Sequence, residues 1–290
     1  MQAHRERYPL VTMARVLHVS LAGFYAWASR PASNRANSDA QLLPEVLRIH
    51  QETDATYGAR RMGRDLTHRG HGCSRSRATR LMRLAGVSVK TRRKFRVTTD
   101  SKHHFPVAAN VLNRQFEAHR ANETWLTDIT YLWTNEGWLY LAVVLDLYSR
   151  RIIGWAIAPR MTVDIVRNAL TMALWRRKPG AGLLHHSDRG SQYACGDYQS
   201  ILASAGITVS MSRKGNCWDN APMESFFRSL KVERVYHRRY VTREEAKLDV
   251  LDYLAFYNSR RLHSALGYVS PMVFEAIASN GGIDHESMKP

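Results

Sequence analysis

The chain has 290 residues and a formal charge of +17, from 42 Lys and Arg against 25 Asp and Glu. Apolar residues at 44% supply a sizeable core and exclude wholesale disorder. The positive excess points to a polyanionic partner, nucleic acid ahead of an anionic membrane. The longest apolar run, Trp138 to Leu145, stops at Asp146 and is too short to cross a bilayer, which argues against membrane insertion. The first residues contain no apolar stretch typical of a secretory signal, and Cys73, Cys195 and Cys217 form no CxxC pair. A reducing cytoplasm is the expected setting.

Charge is unevenly distributed. Residues 57–102 hold fourteen Lys and Arg against two acids, whereas residues 121–212 hold eight against seven. A basic module therefore precedes a nearly neutral one, the pattern of a DNA-gripping region joined to something else. In chain order, TMARVLHVSLAGFYAW reads as a small helix-turn-helix within residues 1–35, with Ser20 capping a helix that buries Phe24 and Trp27. A helical hairpin that merely packs on the rest reads equally well. PASNRANSD, residues 31–39, reads as a linker. Residues 42–95 form the basic module: a helix in LLPEVLRIHQET, a second in YGARRMGRDLTHRG, and a third in SRSRATRLMRLAGV capped by Ser74. Ala78, Leu81, Met82 and Ala85 make the buried stripe of the third helix. Arg75, Arg77, Arg80 and Arg83 fall mostly off it, toward solvent or DNA phosphate. This is a helix-turn-helix pattern, although small helical bundles also carry solvated arginines. Residues 96–115 read as a linker.

The period then changes from helix to strand. TWLTDITYLW ends at the turn Asn135-Glu136-Gly137, and WLYLAVVLDLYSRRIIGWAIA supplies two more strands around Tyr148-Ser149-Arg150. A helix capped by Thr162 follows, with Val163, Val166, Leu170 and Leu174 inward. Next come the strand GLLHHSD, the helix DYQSILASAG, the strand ITVSMS, and a long helix opened by Pro222. The order predicts an α/β domain over residues 116–278, a mixed five-stranded sheet flanked by helices. REEAKLDVLDYLAFYN adds an amphipathic helix with Leu248, Leu251, Leu254 and Phe256 or Tyr257 inward. Residues 279–290 read as a flexible tail.

Three carboxylates stand where strand ends and helix starts could converge: Asp128, Asp188 and Glu224. Hard oxygen donors of this kind suit Mg²⁺ or Mn²⁺ and a phosphoryl-transfer site. Any one of them alone reads better as a cap or turn residue. Asp146 also ends a strand and reads as a supporting residue bonded to Ser149 or Arg150. His185 and His186 lack a second pair at zinc spacing, so orienting a carboxylate or meeting phosphate is the expectation. RKGNCWDNA reads as a mobile loop over the site, with Trp218 either stacking on an unpaired base or anchoring on the core. Arg228 and Lys231 share a helix face with Glu224, as ion-pair partners or as DNA contacts. Arg260, Arg261 and His263 are available for phosphates.

Asp188 and Glu224 are separated by 35 residues, the spacing of the Asp, Asp-35-Glu signature of retroviral integrases and many transposases. With YGARRM, WLTDITY, LDLYSRRIIGW, HSDRGSQY, NCWDNAPMESFFRSLK and YNSRRLHSALGYVSP, the chain resembles the insertion-sequence transposases of the IS-three family, in particular their downstream-frame product. The resemblance spans Tyr57 to Pro271. It implies a ribonuclease-H-like integrase core, with Asp128, Asp188 and Glu224 as catalytic, metal-binding residues for Mg²⁺ or Mn²⁺, two ions per site. It implies Lys231 as the residue gripping DNA ends; the helix and charge pattern adds Arg75, Arg77, Arg80, Arg83, Arg228, Arg260 and Arg261 as expected DNA contacts. The implied activity is cleavage and strand transfer at the element's terminal repeats, first joining the ends into a circle that later integrates into target DNA. The implied partners are double-stranded DNA, further copies of the chain on that DNA, and the upstream-frame product, in a bacterial, nucleoid-associated cytoplasmic setting. Two other readings stay open: an RNase-H-like nuclease that does not join, and a non-catalytic DNA-binding regulator of transposition.

Overall fold

The computed structural model describes residues 1–90, 107–213 and 217–280. The predicted linker and loop lie partly, and the tail largely, outside them. Two short helices come first, α1 (Leu10–Val16) and α2 (Leu21–Ala28), where the Ser20 hydroxyl accepts from the Gly23 amide at 2.9 Å. Phe24 is buried, but Trp27 is 60% exposed, contrary to expectation. The helix is so short that only one of its faces meets a neighbour.

The basic module contains α3 (Asn34–Glu52), α4 (Ala59–His68) and α5 (Arg75–Leu84). PASNRANSD is not a linker beyond its first three residues: Ser33 caps α3 and the chain is helical from Asn34. Two ion pairs hold this polar first turn, which has no apolar period to announce it. Asp39, nearly buried, takes Arg77 at 3.0 Å and Arg80 at 2.5 Å. Ser74 caps α5, and Ala78, Leu81 and Met82 are buried as predicted.

The following region is a five-stranded sheet in the order β3-β2-β1-β4-β5. β1 (Thr124–Thr134), β2 (Gly137–Asp146) and β3 (Ile152–Ala158) form an antiparallel meander. β4 (Leu184–Ser187) and β5 (Thr208–Met211) add in parallel, through crossovers carrying α6 (Val163–Arg177), then α7 (Ser191–Ala194) and α8 (Gly196–Ser204). Gly154 of β3 marks the tightest helix–sheet approach, since a Cβ there would collide with the Ala169 carbonyl of α6. Thr162 occupies the N-cap of α6, but its hydroxyl caps no amide and meets the Asp164 carboxylate at 3.4 Å instead.

Helices α9 (Ala221–Glu233), α10 (Arg243–Ser259) and α11 (Pro271–Ser279) cover the other face. In α10 Val250, Tyr253, Leu254, Phe256 and Tyr257 are buried, whereas Leu248 is 59% exposed and not part of the inner face. One apolar cluster runs from Leu42, Val46, Tyr57 and Leu66 of the basic module through Leu126, Val143, Phe226 and Leu262, so module and sheet share a core. A second cluster lies between the sheet and α6 and α8. Among the described residues no single helix is long and apolar enough to cross a membrane.

Candidate active site

The β1–β4 register builds the site. The last recorded pair of this parallel ladder is Leu126 opposite His186; Asp128 and Asp188 each lie two residues beyond it, near enough for the Asp188 charge to act on Asp128. β4 ends at Ser187, which leaves Asp188 at the open edge beside Asp128. The Gly190 amide donates to Asp188 Oδ1 at 2.8 Å and the Ile129 amide to Asp128 Oδ1 at 2.7 Å. Burial, and then the neighbouring Asp188 charge, push the Asp128 carboxyl well above the usual range; Glu224 adds to this and Lys231 opposes it. Two like charges in a desolvated niche form a cation-demanding pair.

Glu224 comes from α9, whose start is fixed to β1. The Asn220 side-chain amide donates to the Thr127 carbonyl at 3.1 Å, next to Asp128. Asp219, fully buried, accepts from Asn110 at 2.8 Å, Arg114 at 2.9 Å and Arg213 at 3.0 Å. Those guanidiniums, Arg213 foremost, hold its carboxyl below the ordinary range. The RKGNCWDNA loop is thus clamped at its base, whereas residues 214–216 lie outside the description. Trp218 is 68% exposed, so it is not anchored on the core. Glu224 itself is exposed. Among the described residues no three His, Cys, Asp or Glu side chains converge tightly enough to hold a metal ion. The aspartates are brought together; Glu224 acts on Asp128 from the next element without closing the cluster.

Lys231, two turns along α9, is half-buried and its ammonium sits 5.0 Å over the Tyr131 ring. Burial lowers its pKa while the charge of Asp128, near enough to act on it, resists that. Arg228, Arg75 and Arg83 are exposed. Arg77 and Arg80, expected at phosphate or in solvent, are spoken for by Asp39. Arg261 is likewise internal: 4% exposed, it donates to both Glu233 oxygens at 2.8 and 2.6 Å and to Ser229 at 3.1 Å. His263 is buried beside it, and only Arg260 of that group faces solvent.

Two further expectations are corrected. Asp146 accepts from the backbone amides of Asn122 at 2.9 Å and Tyr148 at 3.0 Å, not from Ser149 or Arg150 side chains. It is level with Trp125, so strand alternation turns it to the face opposite Asp128. His185 and His186 are both buried away from solvent, and the charge that acts on His186 is that of Asp219, one of the anchors of α9. His185 shares a hydrogen bond with the Tyr198 hydroxyl at 3.0 Å, and His186 with Ser210 at 2.8 Å and Ser212 at 3.1 Å. Burial lowers their pKa values to about 3 and about 4. Sequence reasoning missed Tyr193, whose buried hydroxyl lies 3.4 Å from Thr127 Oγ1 and feels both aspartates, and the anchors Asp219 and Asn220. All three lie within the HSDRGSQY and NCWDNAPMESFF blocks, which was the available signal.

Residues 118–217 and 205–271 match two families described as Integrase core domain, and residues 37–95 match the HTH-like domain family. An insertion element IS600 uncharacterized 31 kDa protein of Shigella sonnei is 46% identical over 263 residues, 90% of this chain and 97% of that protein. Transposase InsF for insertion sequence IS3A of Escherichia coli (strain K12) is 40% identical over 277 residues, 94% of this chain and 96% of the relative. Among solved structures, a simian T-cell lymphotropic virus intasome in complex with PP2A regulatory subunit B56 gamma aligns at TM-score 0.45 and 15% identity, covering 79% of this chain and 74% of that one. The BIV integrase catalytic core domain aligns at TM-score 0.42 and 18% identity, over 55% and 97%. Fold, matched domains and relatives define a DNA-binding polynucleotidyl transferase with an integrase core of the DDE type. Within that class, the chain belongs to the IS3 family of insertion-sequence transposases.

Proposed function

We propose that this transposase cuts and joins its element's ends at Asp128, Asp188 and Glu224, with the two aspartates holding divalent cations and Glu224 turning inward to complete the set. The observation that carries the reading is the meeting of Asp128 and Asp188, each two residues past the last β1–β4 pair, with the buried Asp128 carboxyl raised by the Asp188 charge. Carboxylate oxygens fit Mg²⁺ or Mn²⁺ better than softer metals. Bound there as a pair, such ions supply activation of the attacking oxygen and stabilisation of the leaving one. The chain's own residues do the rest. Asn220 holds the start of α9 against β1, and Asp219 ties it to Arg114 in the segment before that strand, so Glu224 is carried next to Asp128. Lys231 turns from Asp128 to the terminal phosphates once the carboxylate charge is neutralised.

Water serves as the first nucleophile and leaves a 3′-hydroxyl, which then attacks a second phosphodiester in line without a covalent enzyme intermediate. The first joining circularises the element, and the circle later inserts into target DNA. Duplex DNA is gripped by Arg75, Arg83, Arg228 and Arg260, and two or more copies assemble on it, in the cytoplasm on the nucleoid, together with the upstream-frame product. The test is a cleavage and joining assay on the element's own ends, with Mg²⁺ or Mn²⁺ and with or without the upstream product. Asp128→Asn, Asp188→Asn and Glu224→Gln are each expected to abolish both steps and leave DNA binding near normal. Near-normal joining by any one of them removes that residue from the triad, and cleavage without joining by the wild type turns the reading toward a nuclease.

A further inference from the structure

Past Asp128, β1 continues into a hairpin with β2 that carries aromatic rings beyond the cover of α6. Trp133 and Trp138 are register partners on the two strands, at ring centroids 4.8 Å apart and nearly perpendicular. Trp138 in turn meets Tyr131 edge-on at 5.0 Å, and Tyr131 lies beneath the Lys231 ammonium. The series therefore starts at the cation near Asp128 and climbs to the hairpin tip. It ends in the open, with Trp133 58% and Trp138 43% exposed.

Residues of the same face nearer the sheet centre, Ile129 and Tyr140, pack against the second core cluster. The two indoles lie outside it, and nothing in the fold requires rings this large at a hairpin tip. The tip is also rigid. The Arg243 amide at the start of α10 donates to Glu136 at 2.7 Å, and its guanidinium donates to the Trp138 carbonyl at 3.1 Å. Asn135 donates to the Tyr240 carbonyl at 3.1 Å. An exposed aromatic face held still, with Lys231 at one end and Arg243 at the other, suits a ligand that pairs a flat ring with an anion.

We propose that Tyr131, Trp138 and Trp133 form a stacking platform for unpaired nucleobases at the end of the DNA held beside Asp128. Opening a terminal base pair would free a base to lie against Trp133 while its phosphates meet Lys231 and Arg243. Stacking of this kind is sequence-tolerant, since every base has a π-face. The inference rests on the proposed site only for where the DNA end lies, and its test needs no catalysis.

The full-length chain is titrated, without divalent cation, with a blunt duplex and with the same duplex carrying an unpaired terminal 2-aminopurine. The expected results are quenching of the probe's emission on binding and a roughly tenfold loss of affinity for the overhanging duplex in Trp133→Ala, from the usual worth of a base–aromatic stack. Blunt-duplex affinity should be unchanged, and Trp133→Phe should recover most of the loss. Equal losses on both probes, or an unquenched probe on the wild type, overturn the platform. A change of oligomeric state in Trp133→Ala would overturn it too, by showing that a second copy covers the rings. The wild-type quenching decides the matter even where the alanine variant folds poorly. Failure of the blunt duplex to bind would count instead against the DNA-end reading.

Discussion

Imidazoles two and three residues before Asp188, proposed as catalytic, invite a chemical role, but burial decides otherwise for His185 and His186. Both are inaccessible and neutral, and their depressed pKa values mean that the unfolded chain binds protons the native state refuses. The sign follows: they contribute stability in full above the ordinary histidine pKa of about 6.5, and that contribution is lost as pH falls toward about 4. The melting temperature is therefore expected to fall between pH 7 and 5. Replacing His185 and its partner together, His185→Phe with Tyr198→Phe, removes both ends of one buried hydrogen bond at similar shape. Thermal melts across that range should show a shallower acid slope for the double variant, and an unchanged slope would show that other groups set the acid sensitivity. Asp146 works in the opposite sense. Burial raises it to about 6, so its contribution is full at low pH and is lost as pH rises through that value.

Helix α5 divides its arginines between two tasks that its sequence does not distinguish. Arg77 and Arg80 lie one turn apart and both reach Asp39 on α3, whereas Arg75 and Arg83 point outward. Arg77→Ala or Arg80→Ala leaves a nearly buried carboxylate short of a partner, with a cost of about 1–3 kcal/mol. Arg75→Ala and Arg83→Ala should leave the melting temperature within about 0.5 kcal/mol equivalent but each flatten the salt dependence of duplex binding by close to one counterion. Comparing melts with salt titrations of all four separates the two tasks; an unaltered salt slope in the outward pair would show them to be merely solvated. The limit of sequence reading is visible in this contrast. Strand alternation, the Asn135-Gly137 turn and the Ser20 and Ser74 caps are local and readable, and the Asp188–Glu224 spacing is readable as a family signature. Where a guanidinium goes depends on a carboxylate 38 to 41 residues away for Arg77 and Arg80, or 28 away for Arg261 and Glu233. The pairing that brings Asp128 near Asp188 is equally non-local, because it exists only once β4 pairs with β1.

At the scale of the molecule, Glu233 joins the basic module to the catalytic sheet. It is the last residue of α9, the helix that carries Glu224 and Lys231. Its carboxylate takes Arg261 through two nitrogens and the Tyr253 hydroxyl at 2.8 Å, and it reaches Arg61 of α4 at 3.3 Å. Lys90 donates to its carbonyl at 3.4 Å, and Tyr57 of the basic module accepts from the Leu262 amide at 2.9 Å close by. Despite burial, these cations, Arg261 first, keep the carboxyl below its ordinary pKa. With an apolar core continuous across the same boundary, module and sheet should unfold as one unit, so the basic module cut out alone loses part of its own core. Glu233→Gln keeps the shape but removes the charge facing a nearly inaccessible Arg261. Breaking a buried pair from one side costs about 3–5 kcal/mol. The expected outcome is a large fall in the denaturant midpoint, with helical circular dichroism and near-ultraviolet signals from the sheet's tryptophans still moving together. DNA cleavage should fall along with stability, because α9 loses the fixed end that steadies Glu224. Two separate transitions, with the helical signal lost first, would show that the module is an independent domain resting on the sheet and that Glu233 merely decorates the seam.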